Sequence, residues 1–143
     1  MRRTIKVLIV TLLIVAVISP TVAMAATPQL PTSNAYISSF DNKMTATGGG
    51  QIKIEFETWG MGTVDKLGVS VISVYNQNGW VYTFSMSNPA YTDKMIGYDK
   101  LVFYGSVTYN GNAGDTYYAI VTHYAAKGTG SGTEILTTNS VVA

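Results

Sequence analysis

Apolar residues follow two kinds of pattern along this chain: one unbroken run near the start, and a series of short alternations after it. Val7 to Ile18 is apolar apart from Thr11, follows Arg2, Arg3 and Lys6, and leads to Ala23-Met24-Ala25. A basic start, a short apolar stretch and small residues at the cut mark a secretory signal peptide. A membrane span needs about 20 predominantly apolar residues, and this run stops short of that at Ser19-Pro20. The expected organisation is a signal-peptide helix over Met1–Ala25, cleaved between Ala25 and Ala26, a flexible leader over 26–34, and a single domain over 35–143. With no Cys for lipid attachment and no apolar sorting tail, the product is expected to be secreted and released, with no membrane contact after cleavage.

The alternations predict strands. Tyr36 to Phe40 and Met44 to Thr47 read as two short ones, ended by Gly48-Gly49-Gly50. In Gln51 to Trp59, Ile52, Ile54 and Phe56 share one parity and Lys53, Glu55 and Glu57 the other, as in a strand with one face on a core and one in water. Gly60 and Gly62 are expected to end it, and Lys66 to Gln77 to form the next, with parity blurring at Val71 to Val74 as a bulge would make it. Asn78-Gly79 fits a two-residue type I′ turn, which sets Gln77 opposite Trp80 and Tyr75 opposite Tyr82. Ser85 to Asp99 reads as a long loop, and Leu101, Phe103, Val107 and Tyr109 as a strand. Thr116 to Ala126 alternates Tyr117, Ala119 and Val121 against Tyr118, Ile120 and Tyr124; Lys127 to Gly132 turns the chain into a last strand over Glu134 to Val142.

Seven or eight short strands punctuated by turns give an all-β antiparallel sandwich. Composition then narrows what it does. Removing the signal leaves six Lys against eight Asp and Glu and no Arg at all, a net charge of −2. Nucleic-acid binding rests on a basic footprint, commonly Arg-rich, so nucleic acid is set aside as a partner. The absence of Cys means that burial and strand pairing alone must hold the domain.

Gly114-Asp115-Thr116-Tyr117-Tyr118-Ala119-Ile120-Val121 resembles the approach to strand F of fibronectin type III and immunoglobulin-like domains. There a turn Gly precedes by three residues a Tyr whose hydroxyl ties back to the corner. The resemblance implies an immunoglobulin-like sandwich with Tyr117 at the corner and Ala119 and Val121 in the core. The layout as a whole also resembles small secreted proteins of Gram-positive bacteria with no assigned function, a resemblance that transfers no site.

Candidate chemistry is sparse. His123 is the single histidine, and a zinc site needs three or four N, S or carboxylate ligands. Glu55 and Glu57 sit about 7 Å apart on one strand face, within glycosidase range, but alternation alone explains them as a solvated face. Asp93, Asp99 and Asn88 match no calcium cage. No cofactor or metal is expected, and no catalytic residue is nominated. Trp59, Trp80, Tyr82 and Tyr91 are the candidate ligand-binding residues, since aromatics outside a core stack on sugars or anchor interfaces; cross-strand packing that stabilises the sheet is the competing role, and the one sheets more commonly give such residues. The expected function is a secreted, non-catalytic module with an extracellular binding or structural role, its partner an extracellular protein or glycan; a small carbohydrate-binding module using Trp59, Trp80 and Tyr82 is the alternative, and an enzyme or toxin acting through the 85–99 loop a distant one.

Overall fold

One strand organises the domain. The computed structural model describes residues 34–143; the segment read as a signal peptide, its cleavage site and the leader up to residue 33 lie outside the described residues. The strands are β1 (Ile37–Gly48), β2 (Gln51–Asn76), β3 (Gly79–Ser85), β4 (Ile96–Asn110), β5 (Thr116–Lys127), β6 (Gly130–Thr137) and β7 (Val141–Val142), with a one-turn helix α1 (Thr92–Met95) before β4. All pairings are antiparallel and all seven strands belong to one curled sheet. The expected all-β antiparallel sandwich is thus present, built by bending a continuous sheet over its own core.

β2, 26 residues long, has a strand on each edge over most of its length. Its first half carries β1 on one side and β4 on the other; its second half carries β5 on one side and, on the other, β4 as far as Gly68 and then β3 from Val71. The break expected at Gly60 and Gly62 is instead a bulge: the β4 register shifts between Trp59 and Val64, and the strand continues. A bulge keeps the ladder while bending it, so the two halves of β2 face each other. Ile52, Ile54 and Phe56 from the first half and Val69, Ile72 and Val74 from the second meet Val107, Ala119, Val121, Phe84 and Met44 in one buried cluster. A second cluster of Ile37, Val64, Leu67 and Ala125 fills the bend. The blurred parity at Val71 to Val74 has the expected cause, a register shift between Val69 and Val71 against β5.

Three boundaries differ from the sequence reading. The two short N-terminal strands are one, because Asp41 to Lys43 stay in register with Glu57 to Glu55. The β2–β3 hairpin exists, but its turn residues are Gln77 and Asn78: Asn76 pairs with Gly79, Tyr75 with Trp80 and Val74 with Tyr82. Asn78 keeps a negative φ and its amide donates to Asn76 Oδ1 at 2.9 Å. Asn at the first and Gly at the last turn position favour type I over type I′. The expected long loop is short, since α1 and the first residues of β4 occupy its second half, with Met95 and Ile96 buried. Asp99, at φ 53°, breaks the alternation there and leaves Leu101 49% exposed.

The expected last strand is likewise two. Thr138 Oγ1 accepts the Ala119 amide at 2.9 Å, standing in for a backbone carbonyl in the ladder. The chain then steps aside through Asn139 and Ser140 before β7 rejoins β5 at Thr116 and Tyr117. Tyr117 is buried, and its hydroxyl accepts the Asn112 amide at 2.9 Å and reaches Asp115 Oδ2 at 3.3 Å. That is the tie a corner tyrosine makes to backbone a few residues upstream.

Candidate functional site

The outer face of the first half of β2 is where polar and aromatic side chains converge. Alternation sends Lys53, Glu55, Glu57 and Trp59 outward, and register places each beside a residue of β1 and one of β4. Lys43, Glu55 and Ser106 form one row, Asp41, Glu57 and Tyr104 the next, and Ser39, Trp59 and Val102 the third. This face is a three-strand surface with charge in its middle and two aromatic rings at one end.

Glu57 connects those rings. Its Oε1 accepts the Trp59 indole N–H from the same strand. Tyr104, directly across on β4, has its phenol held above the ordinary range by partial desolvation, then by the charge of Glu57 and a hydrogen bond to it. Trp59 is 37% exposed and Tyr104 62% exposed, so one carboxylate lies between two aromatic surfaces that face solvent. Beside them, Lys53 Nζ lies 2.6 Å from Glu55 Oε1. The Glu55 carboxyl is lowered by that hydrogen bond first, burial opposing, with the charges of Lys53 and Lys43 adding to the lowering. An exposed pair of this kind orders side chains more than it stabilises the fold.

Two shallow depressions flank Tyr104. One, of about 200 Å³, lies between β1 and β4 and is lined by Asp41, Asn42, Lys43, Glu55, Glu57 and Tyr104. The other, of about 400 Å³, lies toward α1, with Asp93, Lys94 and Ser106 joining Glu55 and Tyr104 in its lining. Gly105 lines both, and a Cβ there would stand 2.4 Å from the Lys94 carbonyl oxygen and 2.5 Å from the Phe56 ring. Glycine therefore lets α1 and the core close up directly beneath the face.

The four aromatic candidates from the sequence do not share one surface. Trp59 belongs to the face just described. Trp80, 62% exposed, lies at the far hairpin, opposite Tyr75, which itself stacks on Tyr118 with ring centroids 5.1 Å apart. Tyr82 and Tyr91 come together, their hydroxyls 3.1 Å apart, but they pack edge-on against Phe84 at the rim of the core. The Tyr82 phenol is pushed up, first by that hydrogen bond and then by burial. Tyr104 escaped the sequence reading. Its parity, opposite to Phe103 and Val107, marks it as outward, but only the β2–β4 register sets it beside Glu57.

The remaining candidates have structural partners. His123 is fully buried, with Nδ1 2.8 Å from Thr58 Oγ1, whose hydroxyl donates to the Gly68 carbonyl at 3.0 Å. That leaves Nδ1 as the protonated nitrogen and Nε2 buried without a hydrogen-bond partner among the described residues. Burial pulls the imidazole down to about 4. Asn88 Oδ1 is occupied by the Ala90 amide at 3.0 Å. Among the described residues, no group of three or more His, Cys, Asp or Glu is placed to hold a metal ion.

Comparison with protein-family models, with curated proteins and with solved structures finds no match to this chain.

Proposed function

We propose that this protein is a secreted binding module, and that it presents the outer face of β1, β2 and β4 to an extracellular ligand. The observation that carries the reading is the shared carboxylate: Glu57 accepts the Trp59 indole N–H and lies directly across from Tyr104, between exposed rings from two adjacent strands. Rigid aromatic surface binds with little loss of side-chain freedom, which is why Trp and Tyr dominate binding hot spots. The domain supplies the rigidity, since the face is the back of the strand whose inner residues, Ile52, Ile54 and Phe56, form the core. No side chain on this face is arranged as a nucleophile with a base, and binding without chemistry is the function proposed.

The second reading, a carbohydrate-binding module, is favoured by the depressions beside Tyr104. A sugar offers an apolar C–H face for a ring to stack on and hydroxyls that need both donors and acceptors. Asp41, Asn42, Lys43 and Glu55 supply both beside the exposed phenol. This version uses Trp59 and Tyr104 together, in place of the grouping of Trp59 with Trp80 and Tyr82 expected from sequence.

The test is a binding screen of the purified protein against cell-surface polysaccharides and surface proteins, repeated with Trp59→Ala and Tyr104→Ala. Both variants replace exposed rings, so they should keep the wild-type melting temperature and lose at least about tenfold in affinity, the scale of a modest hot spot. Variants that bind as wild type does would move the site elsewhere. Binding to proteins alone would remove the carbohydrate reading.

A further inference from the structure

β3 is a rim of the sheet that its own sequence leaves without charge or proline. Among the described residues it pairs with β2 alone. The Met86 amide donates to the Ser70 carbonyl at 3.0 Å, which makes these two a hydrogen-bonded pair. Such pairs alternate along an antiparallel ladder, so Ile72 with Phe84 and Val74 with Tyr82 are the next ones. The backbone N–H and C=O of Thr83, and the N–H of Ser85, therefore point away from β2. Natural edges of this kind are blunted by Lys, by Pro, by an inward charge or by a bulge. Gly79–Ser85 contains no Lys, Pro or charge, and no charged residue or histidine occurs from Leu67 to Thr92; its one irregularity is the register shift at Val81, beyond which Tyr82 to Ser85 pair with β2 in regular order. Trp80 lies along the same rim, its indole N–H donating to Thr83 Oγ1 at 2.9 Å.

We infer that the β3 edge is an interaction surface for a second copy of this chain, the two β3 strands pairing antiparallel about a two-fold axis at Thr83. Charge decides the occupant. An acidic or basic segment finds no countercharge on this hairpin, whereas a second β3 brings an equally neutral rim. Symmetry fits as well, because an antiparallel strand paired with itself is isologous and closes at two copies. With the axis at Thr83, each Thr83 N–H meets the other copy's Thr83 C=O, and Val81 of each copy falls opposite Ser85 of the other. The outward-pointing groups of one rim are thereby matched to those of the other, and Trp80 of each copy lies beside Met86 of its mate. The result is one sheet running through both domains, on a different strand from the β1, β2 and β4 face, which stays open.

The experiment is sedimentation of the purified protein across a concentration series, with Thr83→Lys and Thr83→Ser alongside, and amide hydrogen exchange of the wild type at the two ends of the series. Wild type and Thr83→Ser should pass from monomer to dimer as concentration rises, while Thr83→Lys, an exposed substitution that sets two like charges at the axis, stays monomeric throughout. The Thr83 and Ser85 amides should exchange freely in the dilute monomer and become protected in the dimer. The inference is overturned by a wild type that stays monomeric, by open-ended oligomers, by a Thr83→Lys dimer as tight as wild type, or by protection at Thr83 that does not depend on concentration.

Discussion

The side-chain amide of Asn139 reads the backbone of Met44 on both sides: Oδ1 accepts the Met44 amide at 2.9 Å, and Nδ2 donates to the Met44 carbonyl at 3.0 Å. One side chain thus replaces a strand residue where β1 and β6 come together without a ladder. Asn42 adds a second stitch, donating through Nδ2 to the Leu136 carbonyl at 3.2 Å. Asn is the residue this seam needs, since its amide mimics a peptide group with one donor and one acceptor in the same plane.

Asn139→Ala should therefore destabilise the domain by about 2 kcal/mol, because it strands an N–H and a C=O of a residue whose side chain is fully in the core. Asn139→Asp should restore little, as its carboxylate can accept the Met44 N–H but repels the Met44 C=O. Urea unfolding of the three proteins is the check, and equal midpoints would show that the seam contributes nothing.

Acid should weaken the fold through His123. Its imidazole is neutral when buried, with a pKa near 4 against an ordinary 6.5. Between those values the unfolded chain binds a proton that the folded chain refuses, so stability falls as pH drops from about 6.5 to about 4 and levels off below. The loss from this residue is about 3 kcal/mol. Unfolding free energy measured against pH for wild type and His123→Met should diverge across that window, and parallel curves would refute the assignment.

Gly68 should tolerate no side chain. It sits at φ 148°, and a Cβ would lie 2.0 Å from the Met95 carbonyl oxygen, where α1 hands over to β4. Gly68→Ala combines backbone strain with a clash against backbone that cannot move cheaply, and should cost at least about 2 kcal/mol. Gly79→Ala is the contrast, since it shares a positive φ of 121° with nothing within 4 Å of the added carbon. A thermal melt of each should place Gly68→Ala well below Gly79→Ala.

Tyr117→Phe isolates the corner tie. The ring stays, but the Asn112 amide loses its acceptor and Asp115 loses a donor. The expected cost is about 1 to 2 kcal/mol, with faster exchange at the Asn112 amide as the local readout. Unchanged exchange there would mean that the hydroxyl does not hold the turn.

Legibility in the sequence follows the range of the interaction concerned. Parity in Gln51 to Trp59 and in Thr116 to Ala126 places Ile52, Ile54, Phe56, Tyr117, Ala119 and Val121 inward, where the structure buries them, because alternation is a local consequence of the pleat. The bulge at Gly60 to Thr63 was read as a break, since glycines that bend a strand and glycines that end one look alike until both ends find partners. The β2–β3 turn slipped by one residue because Asn76 can cap a type I turn as readily as Asn78 can open a type I′ one. In the candidate site, Trp59 was visible as an outward aromatic. Its pairing with Tyr104 through Glu57 was not, for that depends on a register between strands far apart in the chain.

The spine formed by β2 also sets the order in which the domain can assemble. Only β1 and β3 reach it through tight turns; Ile52 finds Tyr109, and Ile72 finds Val121, only after distant chain has been made and brought back. Contacts so distant in sequence slow folding, and without Cys no covalent link can hold a partial structure while the rest arrives. β5 must therefore be present before the second half of β2 has both its neighbours. A chain emerging N-terminus first stays open, and uncommitted, until that strand has followed.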